Sequence, residues 1–96
     1  MRIKDLKPGM QNVDVEGTIT KIGRTRSFIS RKTGRRVFIA EAVLEDDSGS
    51  IVLVLWNQQI RQVNKGDRVA IKRGYVKEYR GVLQLNVGRE GKILKI

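Results

Sequence analysis

The sequence predicts a small all-β protein, folded as a barrel of short strands. Apolar and polar residues alternate over short runs, and turn signals rich in glycine separate these runs. No amphipathic helix, internal repeat or linker interrupts the pattern. A chain of 96 residues with 40% apolar content suits one domain over residues 1–96 with a core of its own.

The first third of the chain predicts a lead-in turn, a strand and a long loop. Leu6–Met10 contains adjacent proline and glycine, which suits a turn. Over residues 13–20 apolar positions alternate with polar ones, which predicts a half-buried strand, and Gly17 within it indicates a bend or a close approach of two backbones. Residues 23–34 are polar and basic, and they predict a loop or a flexible hairpin tip.

The remaining two thirds predict four more strands, one short helix and a short closing strand. Residues 46–49 (DDSG) separate two apolar runs, as a hairpin turn does. Asn57 suits the N-cap of a short helix, and Gly66-Asp67 closes that segment. In chain order the predicted elements are a strand over 36–45, a strand over 51–56, a helix over 57–63, a strand over 68–76, a turn over 78–81, a strand over 82–87 and a short closing strand over 93–96.

This order of elements indicates a particular barrel. Five strands with one short helix between the third and the fourth are the order of an OB-fold Greek-key barrel. Such barrels bind ligands on strands two and three and in the loops that join strands one to two and four to five. Those loops are here residues 23–34 and 77–81; both are basic, and the second contains Tyr79. Charge and predicted topology therefore indicate the same face.

The composition argues against catalysis and for a polyanionic partner. The chain has no cysteine and no histidine, so it lacks disulfides, thiolate ligands and the commonest general base. It shows no nucleophile–base pair, glycine-rich phosphate loop or metal cluster, and we expect no enzyme, no cofactor and no metal. Twenty Lys and Arg against ten Asp and Glu leave a net charge of +10, which is typical of nucleic-acid-binding proteins.

A membrane surface is the competing polyanion. The longest apolar run, Ile51–Trp56, is too short to span a bilayer, and the N-terminus lacks the apolar core of a signal peptide. We therefore expect no membrane partner and a cytoplasmic, nucleoid-associated protein.

A dense group of cations lies between positions 21 and 36. Seven of the twenty Lys and Arg lie there with no acid among them. Because like charges this dense repel one another unless a polyanion is present, the segment predicts phosphate binding; a solvated hairpin tip is the alternative. Phe28, in the middle of the segment, is either tucked onto the barrel or offered to a base.

Trp56, the only tryptophan, ends the third predicted strand. Alternation places Val52 and Val54 on its face of the strand and the other apolar residues of 51–55 on the opposite face. Both faces are apolar, so parity alone does not decide which one is inside. Tryptophan often lies in cores. An outward face would instead be an exposed apolar strip, typical of a binding site, with Trp56 stacking on bases.

Two tyrosines interleave with cations in residues 74–88 (GYVKEYRGVLQLNVG). Exposed bases stack on such rings while the cations neutralise phosphates. Simple alternation would bury Tyr75, whereas a bulge at Gly74 would reverse its parity, so periodicity leaves this residue open. Tyr79 lies in a predicted turn, where exposure is expected.

Polar residues on the fifth predicted strand complete the candidate site. Gln84 and Asn86 alternate with inward leucines and face outward, where they either hydrogen-bond bases or sugars or form ordinary strand surface. The cations expected to track phosphates are Arg24, Arg26, Lys72, Lys77 and Arg80.

Several segments together carry a family resemblance. They are Leu6–Met10, Glu41-Ala42, Asp46–Gly49, Leu55-Trp56, Lys65–Asp67, Gly74–Gly81 and Leu83–Asn86. With them the chain resembles, over nearly its whole length, the OB-fold domains of archaeal single-stranded DNA-binding proteins and of the archaeal relatives of replication protein A. The last two segments are specific as a pair, whereas the DDSG turn occurs in many OB domains.

The resemblance implies binding of single-stranded DNA with little sequence specificity, in replication, recombination or repair. It implies a stacking platform made of Trp56, Tyr75 and Tyr79, some of which are tryptophan or phenylalanine in relatives. Other OB domains or replication and repair proteins are the implied partners. The chain lacks the flexible tail of single-domain members and the zinc-finger cysteines of larger ones, which indicates either a domain of a longer protein or a minimal binder.

Two other functions fit the same pattern. Residues 13–56 also resemble the anticodon-binding OB domains of aminoacyl-tRNA synthetases, so RNA is an alternative ligand. A structural OB domain in a multi-subunit assembly is the other alternative, in which a partner chain would cover the apolar strip around Trp56.

Overall fold

The computed structural model describes residues 1–96 as a barrel of antiparallel and parallel strands with very little helix. A 3₁₀ turn over Ile3–Asp5 precedes the barrel. The elements that follow are β1 Val13–Ile22, β2 Arg26–Ile29, β3 Arg36–Asp46, β4 Gly49–Trp56, α1 Gln59–Gln62, β5 Arg68–Tyr79 and β6 Val82–Lys95.

Strand β1 closes the barrel because it pairs with two partners. The strand order is β1-β5-β6-β4-β3-β2, and β1 also pairs with β3. Thr18 is the residue of β1 at which pairing with β5 gives way to pairing with β3. A Cβ on the neighbouring Gly17 would lie 2.7 Å from the backbone oxygen of Glu45, so the crossing requires glycine. The five strands β1, β3, β4, β5 and β6 form the predicted OB-type barrel, which is confirmed.

The basic segment between β1 and β3 is a hairpin rather than an open loop. Strand β2 pairs with the first part of β3, from Arg26 opposite Ile39 to Ile29 opposite Arg36. The tip closes through hydrogen bonds from the Ser30 amide to the Arg35 carbonyl and from the Gly34 amide to the Ser30 carbonyl. Of the two predicted forms of this segment, the hairpin is therefore correct. Its cations project from a two-stranded extension of the barrel.

The predicted helix over 57–63 is shorter in the structure, and its predicted cap is wrong. Helix α1 covers only Gln59–Gln62. Asn57 has φ 52°, and its side-chain Oδ1 accepts the Phe38 amide at 2.9 Å. The Asn57 side chain thus accepts the hydrogen bond that a backbone carbonyl of β4 would accept if the strand continued. It is therefore unavailable for capping the helix.

An irregularity in β5 decides its parity. Val13 of β1 pairs with Gly74 and Val15 pairs with Ile71, so two residues of β5, Lys72 and Arg73, lie opposite one residue of β1. On the other side of β5, Arg73 lies opposite residues 88–91 of β6. Arg73 has φ 54°, the left-handed conformation of a bulge residue. The predicted strands at 82–87 and 93–96 are therefore two halves of one strand, β6, that this bulge separates.

The core is apolar and lies inside the barrel. Val69, Ile71, Leu53 and Leu85 are fully buried within it. On β4 the face of Ile51, Leu53 and Leu55 points inward, which resolves the parity that the sequence left open.

Asp46 ties the N-terminal turn to the β3–β4 hairpin. Its carboxylate accepts the amides of Ile3 (2.9 Å), Ser48 (2.7 Å) and Gly49 (3.1 Å), as well as the Ser48 hydroxyl (2.6 Å). Desolvation raises the pKa of Asp46, but these hydrogen bonds to the ionised form outweigh it and lower the pKa to about 2. The predicted turn at 46–49 is confirmed, and it also anchors the chain start.

Candidate nucleic-acid interface

An open groove of about 770 Å³ crosses the outer face of the barrel between the β2–β3 hairpin and the tip of the β5–β6 hairpin. All of the predicted site residues except Arg24 and Lys72 line it: Arg26, Phe28, Trp56, Tyr75, Lys77, Tyr79, Arg80 and Gln84. The remaining lining residues are Ser27, Ile39, Glu41, Val54, Glu78 and Asn86. The two basic segments predicted to flank a binding face therefore flank one groove.

Trp56 lies on the groove face of β4 and is held by two amide side chains. Its backbone amide donates to Gln59 Oε1 at 3.0 Å, and its indole Nε1–H donates to Asn86 Oδ1 at 3.1 Å. Gln59 Nε2 in turn donates to the Val87 carbonyl at 2.9 Å, which fixes α1 against β6. The indole is half-buried, so Trp56 offers a ring of fixed orientation to the groove.

Phe28 is on the groove side of the β2–β3 hairpin. Its ring meets the Trp56 ring edge to face, with centroids 6.5 Å apart and planes at 80°. Phe28 remains 46% exposed. The Phe28 ring therefore contacts the barrel through Trp56 and also lines the groove, so its stacking on a base stays a prediction.

The bulge at Arg73 places Tyr75 and Tyr79 on the groove side of β5. The neighbouring residues Gly74 and Val76 point into the core instead. The ammonium of Lys77 lies 5.6 Å from the Tyr75 ring centre, and the guanidinium of Arg80 lies 5.2 Å from the Tyr79 ring centre. Both are cation–π contacts, so each ring has a positive charge beside it.

Gln84 and Asn86 lie on the groove face of β6, as the alternation predicts, but they differ in exposure. Gln84 Nε2 donates to Glu41 Oε2 at 3.1 Å. Glu41 also faces Arg26, with 3.6 Å between Oε1 and Nη2, so the charge of Arg26 is partly offset. Asn86 is only 4% exposed and forms the floor between Val54 and Tyr75.

Arg24 and Lys72 lie outside the groove. Arg24 is exposed in the link between β1 and β2. Lys72 precedes the bulge and sits opposite Lys92, on the part of β5 that pairs with the C-terminal half of β6. Neither side chain lines the groove. Lys72 lies before the bulge, where the alternation of β5 has the opposite phase from that at Tyr75.

Five lining residues were absent from the predicted site: Ser27, Ile39, Glu41, Val54 and Glu78. Alternation along β3 would have placed Ile39 and Glu41 on one face, opposite the buried Ala40 and Ala42. Which face borders the groove depends on the register with β4, where Ile39 lies opposite Trp56. That register is a property of the fold and carries no local sequence signal.

Comparison with known families supplies the identification. Residues 6–95 match the family model described as single-stranded DNA binding protein Ssb-like, OB fold. The chain belongs to this Ssb-like OB-fold family. The family consists of binding proteins without catalytic activity, which agrees with the sequence expectation that this is not an enzyme.

Relatives of the Ssb-like chain include two archaeal proteins. It is 32% identical over 92 residues to the single-stranded DNA binding protein Ssb of Saccharolobus solfataricus, covering 96% of this chain and 61% of the relative. It is 34% identical over 73 residues to replication factor A of Methanothermobacter thermautotrophicus, covering 73% of this chain and 9% of the relative. The chain therefore spans less than two thirds of the length of either relative.

Solved structures of similar proteins share the fold over the full chain. The second OB-fold domain of replication protein A from Methanococcus maripaludis has a TM-score of 0.80 and 30% identity, covering 100% of this chain and 93% of that domain. An OB domain from Thermoplasma acidophilum has a TM-score of 0.85 and 26% identity, covering 100% of this chain and 85% of the other.

The Ssb-like chain has no cluster of acidic side chains suited to a metal ion. No helix has the length and apolar character needed to cross a membrane.

Proposed function

We propose that residues 1–96 form one binding domain that holds single-stranded DNA in the groove with little sequence specificity, for use in replication, recombination or repair. The observation that carries this proposal is the convergence of Trp56, Tyr75 and Tyr79 with cations on one open face. Membership of the Ssb-like family supports DNA as the ligand. Other OB domains and replication or repair proteins are the partners we propose for it.

Bases would stack on the three rings while the backbone passes the cations. Lys77 and Arg80 already lie against the faces or edges of the tyrosines, so an incoming base and its phosphate meet a ring and a charge together. Stacking of this kind is sequence-tolerant, because every base has a π-face. Trp56 needs little ordering on binding, since Asn86 and Gln59 already hold it.

The polar groups of the groove give little capacity to read base edges. The Gln84 amide group already donates a hydrogen bond to Glu41, and Arg26 faces the same carboxylate. Sequence-specific recognition depends on free, fixed donor and acceptor pairs at base edges. Few such free donors and acceptors lie beside the rings, which supports binding through the faces of the bases and not through their edges.

The test replaces one ring at a time and measures binding of a fluorescein-labelled dT oligonucleotide by anisotropy. Each of Trp56→Ala and Tyr79→Ala should weaken binding by about 1–3 kcal/mol, or about 5- to 160-fold. Trp56→Phe and Tyr79→Phe are the matched controls, since they keep a ring and should retain most of the affinity. Unchanged affinity in both alanine variants would refute the platform.

The same titration with matched rU and dU oligonucleotides, which differ only in the 2′-hydroxyl, decides between DNA and RNA. RNA differs by its 2′-hydroxyl, and a site built for RNA binds the rU strand more tightly. Preference for rU would replace DNA with RNA as the ligand. If neither strand binds, a structural role in an assembly is favoured instead. Light scattering would then detect a stable oligomer.

A further inference from the structure

A second depression, of about 610 Å³, continues from the groove past Tyr75 toward the base of the β5–β6 hairpin. It shares Tyr75 and Lys77 with the aromatic groove. Its lining also includes Arg73, Gly88, Arg89, Glu90 and Gly91. Apart from Tyr75 it contains no large apolar side chain, so its chemistry is set by charge and by glycine backbone.

The bulge creates this depression and brings its two arginines together. Arg73 on β5 lies opposite residues 88–91 of β6, the stretch that contains Arg89. A Cβ on Gly91 would lie 2.9 Å from the Lys72 carbonyl and 3.1 Å from the Arg73 carbonyl, so the two backbones touch here. A Cβ on Gly88 would lie 3.4 Å from the Tyr75 ring. The glycines thus leave an open floor beside the ring.

The arginines of the depression have no acidic partner. The ion pairs of the protein are Arg2–Asp47, Arg26–Glu41 and Lys95–Asp67, and none involves Arg73, Arg89 or Lys77. Glu90 is the one acid in the lining, against these three cations. The local charge is therefore positive.

Arg73 has a left-handed backbone conformation that is unusual for a residue with a side chain. Arg73 adopts φ 54°, a conformation that glycine would take with less strain, and its amide donates to Asp14 Oδ1 at 2.9 Å. Strained non-glycine residues persist where the surrounding structure holds them, and they concentrate at functional sites. A glycine would satisfy the bulge but would supply no cation.

We propose that Arg73 and Arg89 form a phosphate subsite that extends the DNA path by the nucleotides next to the base stacked on Tyr75. This inference rests on the proposed function, since the ligand is the phosphodiester backbone of the same single strand. Guanidinium groups suit this ligand because they bind phosphate oxygens in a bidentate manner. The groove then supplies stacking at Trp56, Tyr75 and Tyr79, and the depression supplies phosphate neutralisation beyond them.

The experiment measures the salt dependence of binding for Arg73→Gln, Arg89→Gln and the double variant. Two labelled oligonucleotides are used, a short dT strand of about 5 nucleotides and a long one of about 15, near the two ends of the range an OB fold covers. For the long strand, the slope of log affinity against log salt should fall by about 0.7 for each phosphate that an arginine no longer neutralises, and by about 1.4 in the double variant. For the short strand, which the aromatic groove holds, the slope should not change.

The matched control is Arg68→Gln, an exposed arginine on the same strand but outside both depressions. Thermal unfolding of each variant verifies that the fold is retained. Variants that behave as Arg68→Gln on the long strand would overturn the subsite and leave the proposed function standing. A wild-type protein that binds neither strand would overturn the proposed function itself.

Discussion

Asn86 is the residue on which the geometry of Trp56 depends. Its Oδ1 accepts the indole N–H at 3.1 Å, while its Nδ2 is buried and has no hydrogen-bond partner. A buried donor without a partner costs about 1–3 kcal/mol. The Asn86 amide thus carries a cost in stability, and what it provides is a fixed orientation for the largest ring of the groove.

We expect Asn86→Ala to loosen Trp56 and to weaken DNA binding. Removing the hydrogen bond takes away about 1 kcal/mol of orienting interaction, so part of the ordering must occur on binding instead. The indole N–H signal in proton NMR measures this directly, because it should exchange with water faster than in the wild type. The control is Gln84→Ala, which leaves the indole contact intact. Slow, unchanged exchange in Asn86→Ala would contradict the role given to this residue.

The residues that could be predicted were those whose role is local. Tyr79 and Arg80 lie in a hairpin tip that the sequence marks with Gly81, and the structure places both in the groove. The pairing of Glu41 with Arg26 and Gln84 could not be predicted. It joins three strands, and its partners follow from cross-strand register, which the sequence of one strand does not contain.

At the scale of elements, the bulge in β5 has the largest consequence. The sequence suggested a bulge at Gly74, but the left-handed residue is Arg73. Gly74 serves packing instead, because a Cβ there would lie 3.0 Å from Leu85 Cδ1 and 3.1 Å from Ile71 Cγ2. The presence of a bulge was thus predictable from the glycine, whereas its register depended on core contacts that only the folded barrel provides.

Helix α1 shows where local signals mislead. Asn57 and Gly66-Asp67 are ordinary signals for a helix start and stop, yet the helix has a single turn. The Asn57 side chain is taken by the Phe38 amide, so tertiary pairing overrides capping propensity. The consequence for the site is favourable, since this turn brings Gln59 against Trp56 and Val87.

The Asp46 carboxylate in the β3–β4 turn should make the stability of the protein depend on pH. The folded pKa of Asp46 is about 2, below the usual 3.8, so its stabilising effect is complete above the unfolded pKa. It is lost as the pH falls from 3.8 through about 2. Allowing for solvent screening, we expect a loss of about 1–2 kcal/mol, measured by urea unfolding at pH 5 and at pH 2.

Two variants separate this turn from other acids. Asp46→Asn should be less stable than the wild type at pH 5, and the difference should shrink as the pH approaches 2. Asp47→Asn, an exposed neighbour paired only with Arg2, should keep the wild-type pH dependence. Asp67, whose pKa is lowered by the Asn64 amide and by Lys95, leaves some pH dependence in both variants. Equal pH dependence in Asp46→Asn and the wild type would refute the assignment to Asp46.

At the scale of the whole molecule, charge is the property that the sequence predicts best and the structure refines. The net charge of +10 indicated a polyanionic partner before any element was placed. The structure shows only three ion pairs, all involving exposed side chains, so most cations remain uncompensated. Part of that charge surrounds the groove and its extension, at Lys77, Arg80, Arg73 and Arg89.

This imbalance leads to opposite effects of salt on folding and on binding. Repulsion among like charges destabilises the compact state, and salt screens it with a Debye length of about 10 Å at 0.1 M. Raising NaCl from about 0.02 to 0.5 M should therefore increase the urea midpoint of the free protein, while affinity for a dT oligonucleotide falls steeply through loss of counterion release. NaCl serves better than sulfate here, because sulfate also strengthens apolar burial by exclusion from the surface. A urea midpoint that falls with NaCl would show that the free protein is stabilised by its few ion pairs rather than strained by its excess charge.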